Sequence, residues 1–132
     1  MFVFVRFVVV RNSGGPLPTG RISFDDEQFD NRNGFNPSYG IFTVPLDGTY
    51  LFFFSSHTQG IETHLDVYVN GERRKYFWDK DDSNNSRQFT FYLSLELNRD
   101  DKLWLDNQGA SSLFSDSDWP MTFLGYRLND EK

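Results

Sequence analysis

The chain has 132 residues, a formal net charge of −6 and an isoelectric point near 4.7. The length suits one domain over residues 1–132, and the acidic balance argues against nucleic acid or anionic lipid as a general partner, because phosphate binding needs a basic footprint. There is no cysteine, which excludes disulfides and thiolate chemistry, and a domain of this size buries enough surface to do without staples.

The chain opens on an apolar run, Met1 to Val10. Arg6 interrupts it, no basic start precedes it and no small-residue cleavage site follows, so it reads as a strand over 2–11 and not as a signal peptide. It is also too short to span a bilayer. Residues 12–20 (Asn-Ser-Gly-Gly-Pro-Leu-Pro-Thr-Gly) are a loop by composition. Strand-like runs follow at 21–24 and 39–44. Asp47-Gly48, between Leu46 and Thr49, then reads as a hairpin-like turn into a run at 48–57. The runs at 62–69 and 72–78 flank Asn70-Gly71, the strongest short hairpin signal, since both central residues of a type I′ turn need positive φ. Residues 79–87 form a polar loop rich in Asp and Asn. Runs at 87–97, 102–106 and 120–128 complete the chain, with a Ser-, Asp- and Gly-containing loop at 106–118. No useful 3.6-residue pattern, internal repeat or Gly-X-Y tract is present. Many short strands between regular turns predict an all-β sandwich or barrel.

Alternation says more than the strand count. Thr63, Leu65, Val67 and Val69 alternate with His64, Asp66 and Tyr68, and Phe89, Phe91, Leu93, Leu95 and Leu97 alternate with polar neighbours and Tyr92. Such strands have one buried and one wet face. Residues 50–54 differ. Tyr50, Phe52 and Phe54 point one way, and Leu51 and Phe53 point the other. Residues 2–10 and 121–128 are likewise apolar on both sides. A two-layer sandwich covers only one face of each sheet, so a second cover is needed. It is either subunit association or a loop folded over that face.

The spacing from Phe24 to Phe54 resembles the signature of the complement C1q-like globular domains. The eight slots are filled by Phe24, Asp30, Phe35, Phe42, Gly48, Tyr50, Phe52 and Phe54. Tyr39 to Pro45, Leu65 to Gly71, Leu103-Trp104-Leu105 and Thr122-Phe123-Leu124-Gly125-Tyr126 resemble further family segments, so the likeness covers 22–128. Arg99-Asp100-Asp101 departs from the family's usual Gly-Asp. The resemblance implies a ten-strand jelly-roll sandwich of two antiparallel sheets, shared with tumour-necrosis-factor-like cytokines, and a homotrimer. It implies that Phe24, Phe42, Gly48, Tyr50, Phe52 and Phe54 belong to the core motif. Leu51, Phe53 and Tyr92 then meet neighbouring subunits, and Phe123 serves there or in the core.

No catalytic motif is present. The histidines are His57 and His64, without Gly-x-Ser-x-Gly, HExxH or a phosphate loop, so an enzyme is not expected. The loop Asp79-Lys80-Asp81-Asp82-Ser83-Asn84-Asn85 offers the oxygen atoms Ca²⁺ wants, although acidic loops are usually only solvated. Several family members hold calcium at the equivalent loop. Asp81 and Asp82 are the first candidate ligands and Asp79 the next. Asn84-Asn85-Ser86 is also a glycosylation sequon. Trp78 stands beside polar groups suited to stacking a sugar, with Arg73 and Lys75 of the basic run as candidate ligand contacts. An edge guarded by charge is the plainer reading of that run, because Arg73, Arg74 and Lys75 alternate faces on a strand. Trp119 reads as an anchor at the start of the last strand. The family implies a secreted recognition module, lectin-like in innate immunity. A receptor ligand and a trimerising matrix element are the alternatives.

Overall fold

The computed structural model describes residues 4–60, 62–80, 86–108 and 113–128. Among them the alternating runs form thirteen strands and no helix. In chain order these are β1 (Arg6–Arg11), β2 (Gly15–Pro16), β3 (Gly20–Arg21), β4 (Asp26–Asp30), β5 (Phe35–Asn36), β6 (Ile41–Thr43), β7 (Gly48–Thr58), β8 (Glu62–Val69), β9 (Glu72–Lys80), β10 (Arg87–Leu97), β11 (Lys102–Asn107), β12 (Leu113–Ser115) and β13 (Met121–Arg127). The first sheet runs β2-β12-β7-β13-β1-β4, with β10 on the free side of β7. The second runs β5-β6-β11-β8-β9, with β3 also on β11. Every pairing is antiparallel, and the two sheets form a jelly-roll sandwich. The surplus over ten strands comes from segments of two or three residues.

Two turns behave differently. Asn70 and Gly71 both adopt positive φ (53° and 83°) and close the β8–β9 hairpin, as a type I′ turn requires. Asp47-Gly48 closes no hairpin. It carries the chain from β6 in the second sheet to β7 in the first, so the hairpin-like reading of that dipeptide is corrected to a crossover. The strand β4 was not legible, because Asp26-Glu27-Gln28-Phe29-Asp30 is mostly polar. It pairs with β1 at the edge of the first sheet, where neither face demands a continuous apolar row.

The core lies between the sheets and is rich in phenylalanine. Phe7 packs 4.7 Å from both Phe35 and Phe42 and 5.3 Å from Phe123, and Phe123 stacks on Phe52 at 5.9 Å. Gly125 lies beside this cluster. A Cβ there would stand 2.7 Å from both Phe52 and Phe7, so the closing strand needs glycine to let the rings approach. Of the motif residues, Phe24, Phe42, Tyr50, Phe52 and Phe54 are all buried. Tyr50 keeps its hydroxyl satisfied by donating to Leu46 O at 2.7 Å. Asp30 fills its slot as a turn acceptor. Its two oxygens receive the Gly34 and Phe35 backbone N–H groups at 3.2 and 2.9 Å.

Phe123 requires a correction. It is 1% exposed and lies wholly within the core, so it cannot contribute to a subunit interface. Its parity follows Phe54, which it faces across the β13–β7 ladder, whereas Leu124 takes the outer position opposite Phe53.

Candidate functional site

Each sheet turns one face inward, and the two outer faces differ in chemistry. On the first sheet, cross-strand registry lines up Tyr92, Phe53, Leu124, Val8 and Phe29 across β10, β7, β13, β1 and β4. Phe53 is 40% exposed and Tyr92 73%. The Phe53 ring stacks between those of Tyr92 (6.1 Å) and Tyr126 (6.4 Å). Leu51 faces Tyr126 and Ser94 in the next row and is half-buried. Beside them opens a hollow of about 520 Å³, lined by Phe53, Tyr92, Phe77, Thr122 and Leu124 among others. Thus Leu51, Phe53 and Tyr92 lie on one outer face, Leu51 and Phe53 as the two-faced strand predicts and Tyr92 as the resemblance implies.

The second sheet presents a polar face. Along β8 the outward residues are Glu62, His64, Asp66 and Tyr68; along β11 they are Trp104 and Asp106. The residues that face them from β9 are set by a bulge. Tyr68 pairs with Arg73 but Val67 pairs with Lys75, so Arg74 is the extra residue. Beyond the bulge Asp66 faces Tyr76, and His64 faces Trp78. Arg73, Tyr76 and Trp78 therefore share the outer face. Lys75 does not. It sits opposite the buried Val67, with the parity of Phe77 and Asp79, so its expected place beside Arg73 and Trp78 is corrected.

Glu62, His64, Arg73, Tyr76 and Trp78 line an open hollow of about 420 Å³. The Trp78 indole N–H donates to Glu62 Oε1 at 3.1 Å, which fixes the ring while leaving it 58% exposed. The Tyr76 ring lies 5.5 Å from His64 and 4.9 Å from the Arg73 guanidinium, a cation–π approach. Asp66 lies beneath them, 3% exposed. Its Oδ2 accepts from Gln108 Nε2 at 2.7 Å, and the same amide reaches Asp106 at 3.2 Å. Burial first, and the neighbouring Asp66 charge second, push the Asp106 carboxyl above its usual value against the pull of Arg21. Arg21 also lies over the Trp104 ring at 4.8 Å, and Trp104 stacks on Tyr68 at 5.8 Å.

The remaining candidates are dispersed. Asp79 is paired with Arg87, whose Nε and Nη2 reach its Oδ2 at 2.8 and 2.6 Å. Asp81 and Asp82 lie outside the described residues, as does Asn84 of the sequon. Among the described residues no group of three or more His, Asp or Glu side chains is placed to hold a metal ion. His57 is buried at the end of β7 and stacks face to face on Trp119 at 4.4 Å, which gives Trp119 its anchoring contact. The two histidines thus lie on different sheets. Sequence reasoning placed His64 and Asp66 on one polar face but missed Glu62 and Tyr76 as their neighbours. The period-two spacing of 62, 64 and 66 was available as a signal; the bulge that aligns Tyr76 and Trp78 with them was not.

The chain is a jelly-roll β-sandwich with one apolar and one polar aromatic outer face. The C1q domain sequence model matches residues 6–128, and the chain belongs to the C1q domain family. It is 26% identical over 122 residues to the mouse (Mus musculus) collagen alpha-1(X) chain, covering 91% of this chain and 18% of that one. The chain therefore spans about a fifth of that relative's length. Among solved structures it is similar to the globular domain of the zebrafish complement 1qA protein, with a TM-score of 0.78, 21% identity, and 96% and 99% of the two chains covered. Murine APRIL follows, with a TM-score of 0.70, 12% identity, and 93% and 99% coverage. The Eiger TNF of S. frugiperda has a TM-score of 0.67, 13% identity, and 99% and 95% coverage. These three likenesses show a shared fold. No helix among the described residues is long and apolar enough to cross a membrane.

Proposed function

We propose that this C1q domain is a secreted, non-enzymatic recognition module. In this reading it assembles as a homotrimer through the outer face of its first sheet and binds microbial or cell-surface glycans, in an innate-immune setting, through the outer face of its second. The observation that carries the reading is the Trp78 platform. An exposed ring with its N–H already tied to Glu62, flanked by Tyr76, His64 and Arg73, offers an apolar surface rimmed by polar groups. That combination suits a sugar, which has an apolar ring face and hydroxyl edges. Trimerisation covers the Leu51–Phe53–Tyr92 patch and presents three such sites together, so weak individual contacts gain avidity. A trimer also carries three times the chain's charge of −6, so the apolar contact must outweigh repulsion between subunits.

A printed array of neutral, sialylated and sulfated glycans tests the reading, run once with calcium and once with chelator. Saturable binding of a defined glycan class supports it. Calcium dependence would bring in the 79–85 loop. An array without a single bound glycan overturns it. A second reading, a trimerising element of a longer matrix protein, is favoured by the match to a small part of a collagen chain. It predicts that empty array together with a stable trimer.

A further inference from the structure

Two polar atoms of the second sheet without a hydrogen bond lie together. Asp66 Oδ1 and His64 Nε2 are both buried and neither makes a hydrogen bond among the described residues. They stand 3.7 Å apart, and Arg73 Nη1 lies 3.9 Å from the same Asp66 oxygen. Both distances exceed hydrogen-bond length, so one acceptor faces two nitrogen groups with no bond made to either. A buried polar group left in this state is costly, and the cost is removed by a partner that fits. The other Asp66 oxygen is held by Gln108, so the carboxylate is fixed in direction while Oδ1, in ion-pair range of Arg73, makes no hydrogen bond.

We infer that this triad is a subsite for one hydroxyl of a neutral pyranose whose ring rests on Trp78. This rests on the glycan-binding reading above and names the ligand class and the atoms for it. A hydroxyl both donates and accepts, so it can give its proton to Asp66 Oδ1 and accept from Arg73 or His64. A carboxylate ligand cannot donate to Asp66 and would face its charge. An ammonium ligand would face Arg73. The charges around the hollow, Glu62 and Asp66 against Arg73, leave no net positive field to hold a sialylated or sulfated sugar. Arg73 is the part that yields. Its side chain is half-exposed on the edge strand β9, beside the bulge, so it can swing outward and let the hydroxyl reach the oxygen it covers. Asp66 and Arg73 then bind the hydroxyl, Gln108 positions Asp66, and Trp78 supplies the stacking surface.

The test uses the intact chain. Neutral methyl hexopyranosides and a sialylated and a sulfated glycan are titrated against wild type, Trp78→Ala, Asp66→Asn and Lys75→Ala, with circular dichroism confirming each fold. Neutral sugars bind wild type. Asp66→Asn and Trp78→Ala each weaken them by about tenfold or more, the scale of a hydrogen bond to a charged group. Lys75→Ala, on the opposite face, leaves affinity unchanged. Trp78 is exposed, so its variant stays informative even where Asp66→Asn folds poorly. Binding confined to sialylated or sulfated glycans overturns the inference while leaving glycan recognition standing. So does neutral-sugar binding that survives both Asp66→Asn and Trp78→Ala. Absence of any glycan binding to wild type overturns both.

Discussion

The outer faces of the two sheets are built by the same rule and end in opposite chemistry. On the first sheet, period-two positions of β7, β13 and β1 place Phe53, Leu124 and Val8 in one row. On the second, the same period places His64 and Asp66 of β8 against Trp78 and Tyr76 of β9. The apolar face gains by being covered, because each exposed aromatic costs free energy roughly in proportion to the area it leaves in water. The polar face has less to gain, since covering Glu62, Asp66 or Arg73 means replacing their water contacts one by one. In the proposed function, association therefore falls to the first face and selective recognition to the second. That contrast can be attacked from three sides.

The largest effect concerns the layer both faces share. Phe123→Ala empties a site packed against Phe7, Phe24 and Phe52 and should cost about 3–5 kcal/mol of unfolding free energy. Urea denaturation measures it. A loss near zero would mean that Phe123 belongs to a surface after all.

The next effect separates the faces. Phe53→Glu puts an unpaired carboxylate in the middle of the apolar row, a penalty of several kcal/mol once another subunit covers it. Light scattering after size exclusion should show three chains for wild type and one for the variant, with the circular dichroism spectrum unchanged. A variant that stays trimeric moves the joint elsewhere. A wild-type monomer at micromolar concentration removes the association reading.

The smallest effect lies on the polar face. Burial and Asp66 hold the Asp106 carboxyl above its usual value of 3.8. The folded chain then binds that proton more tightly than the unfolded chain. Stability from this group is therefore fully present below 3.8 and declines as pH rises through the raised folded value. Asp106→Asn removes the charge. Its melting temperature should exceed that of wild type at neutral pH, and the advantage should fade as the pH is lowered through that window. An advantage independent of pH would assign the effect to packing and not to charge.

Much of the architecture was legible. The alternation of 89 to 97 and the Asn70-Gly71 turn follow from local chemistry, and both appear in the structure where expected. The two-faced run at 50–54 marked a second apolar face in the sequence itself. The polar strand β4 and the short β12 were not legible, because edge and two-residue pairings need no apolar signal. The site was half legible. Trp78 and Arg73 were singled out, but their grouping with His64 and Asp66 was hidden.

The amino-acid sequence by itself determined the all-β class, since turn residues and period two are local properties, and its eight matched positions from Phe24 to Phe54 carried the C1q resemblance and the phenylalanine core it implies. Only the tertiary structure decided which face each β9 side chain occupies. Counted strictly from the Asn70-Gly71 turn, Trp78 falls opposite Thr63, on the buried side. The extra residue at Arg74 shifts every later position by one, setting Trp78 against His64 and turning Phe77 inward to stack 4.0 Å from Phe91. A one-residue slip inverts a strand, and the side chosen is the one that buries Phe77 and leaves Tyr76 and Trp78 to the ligand face.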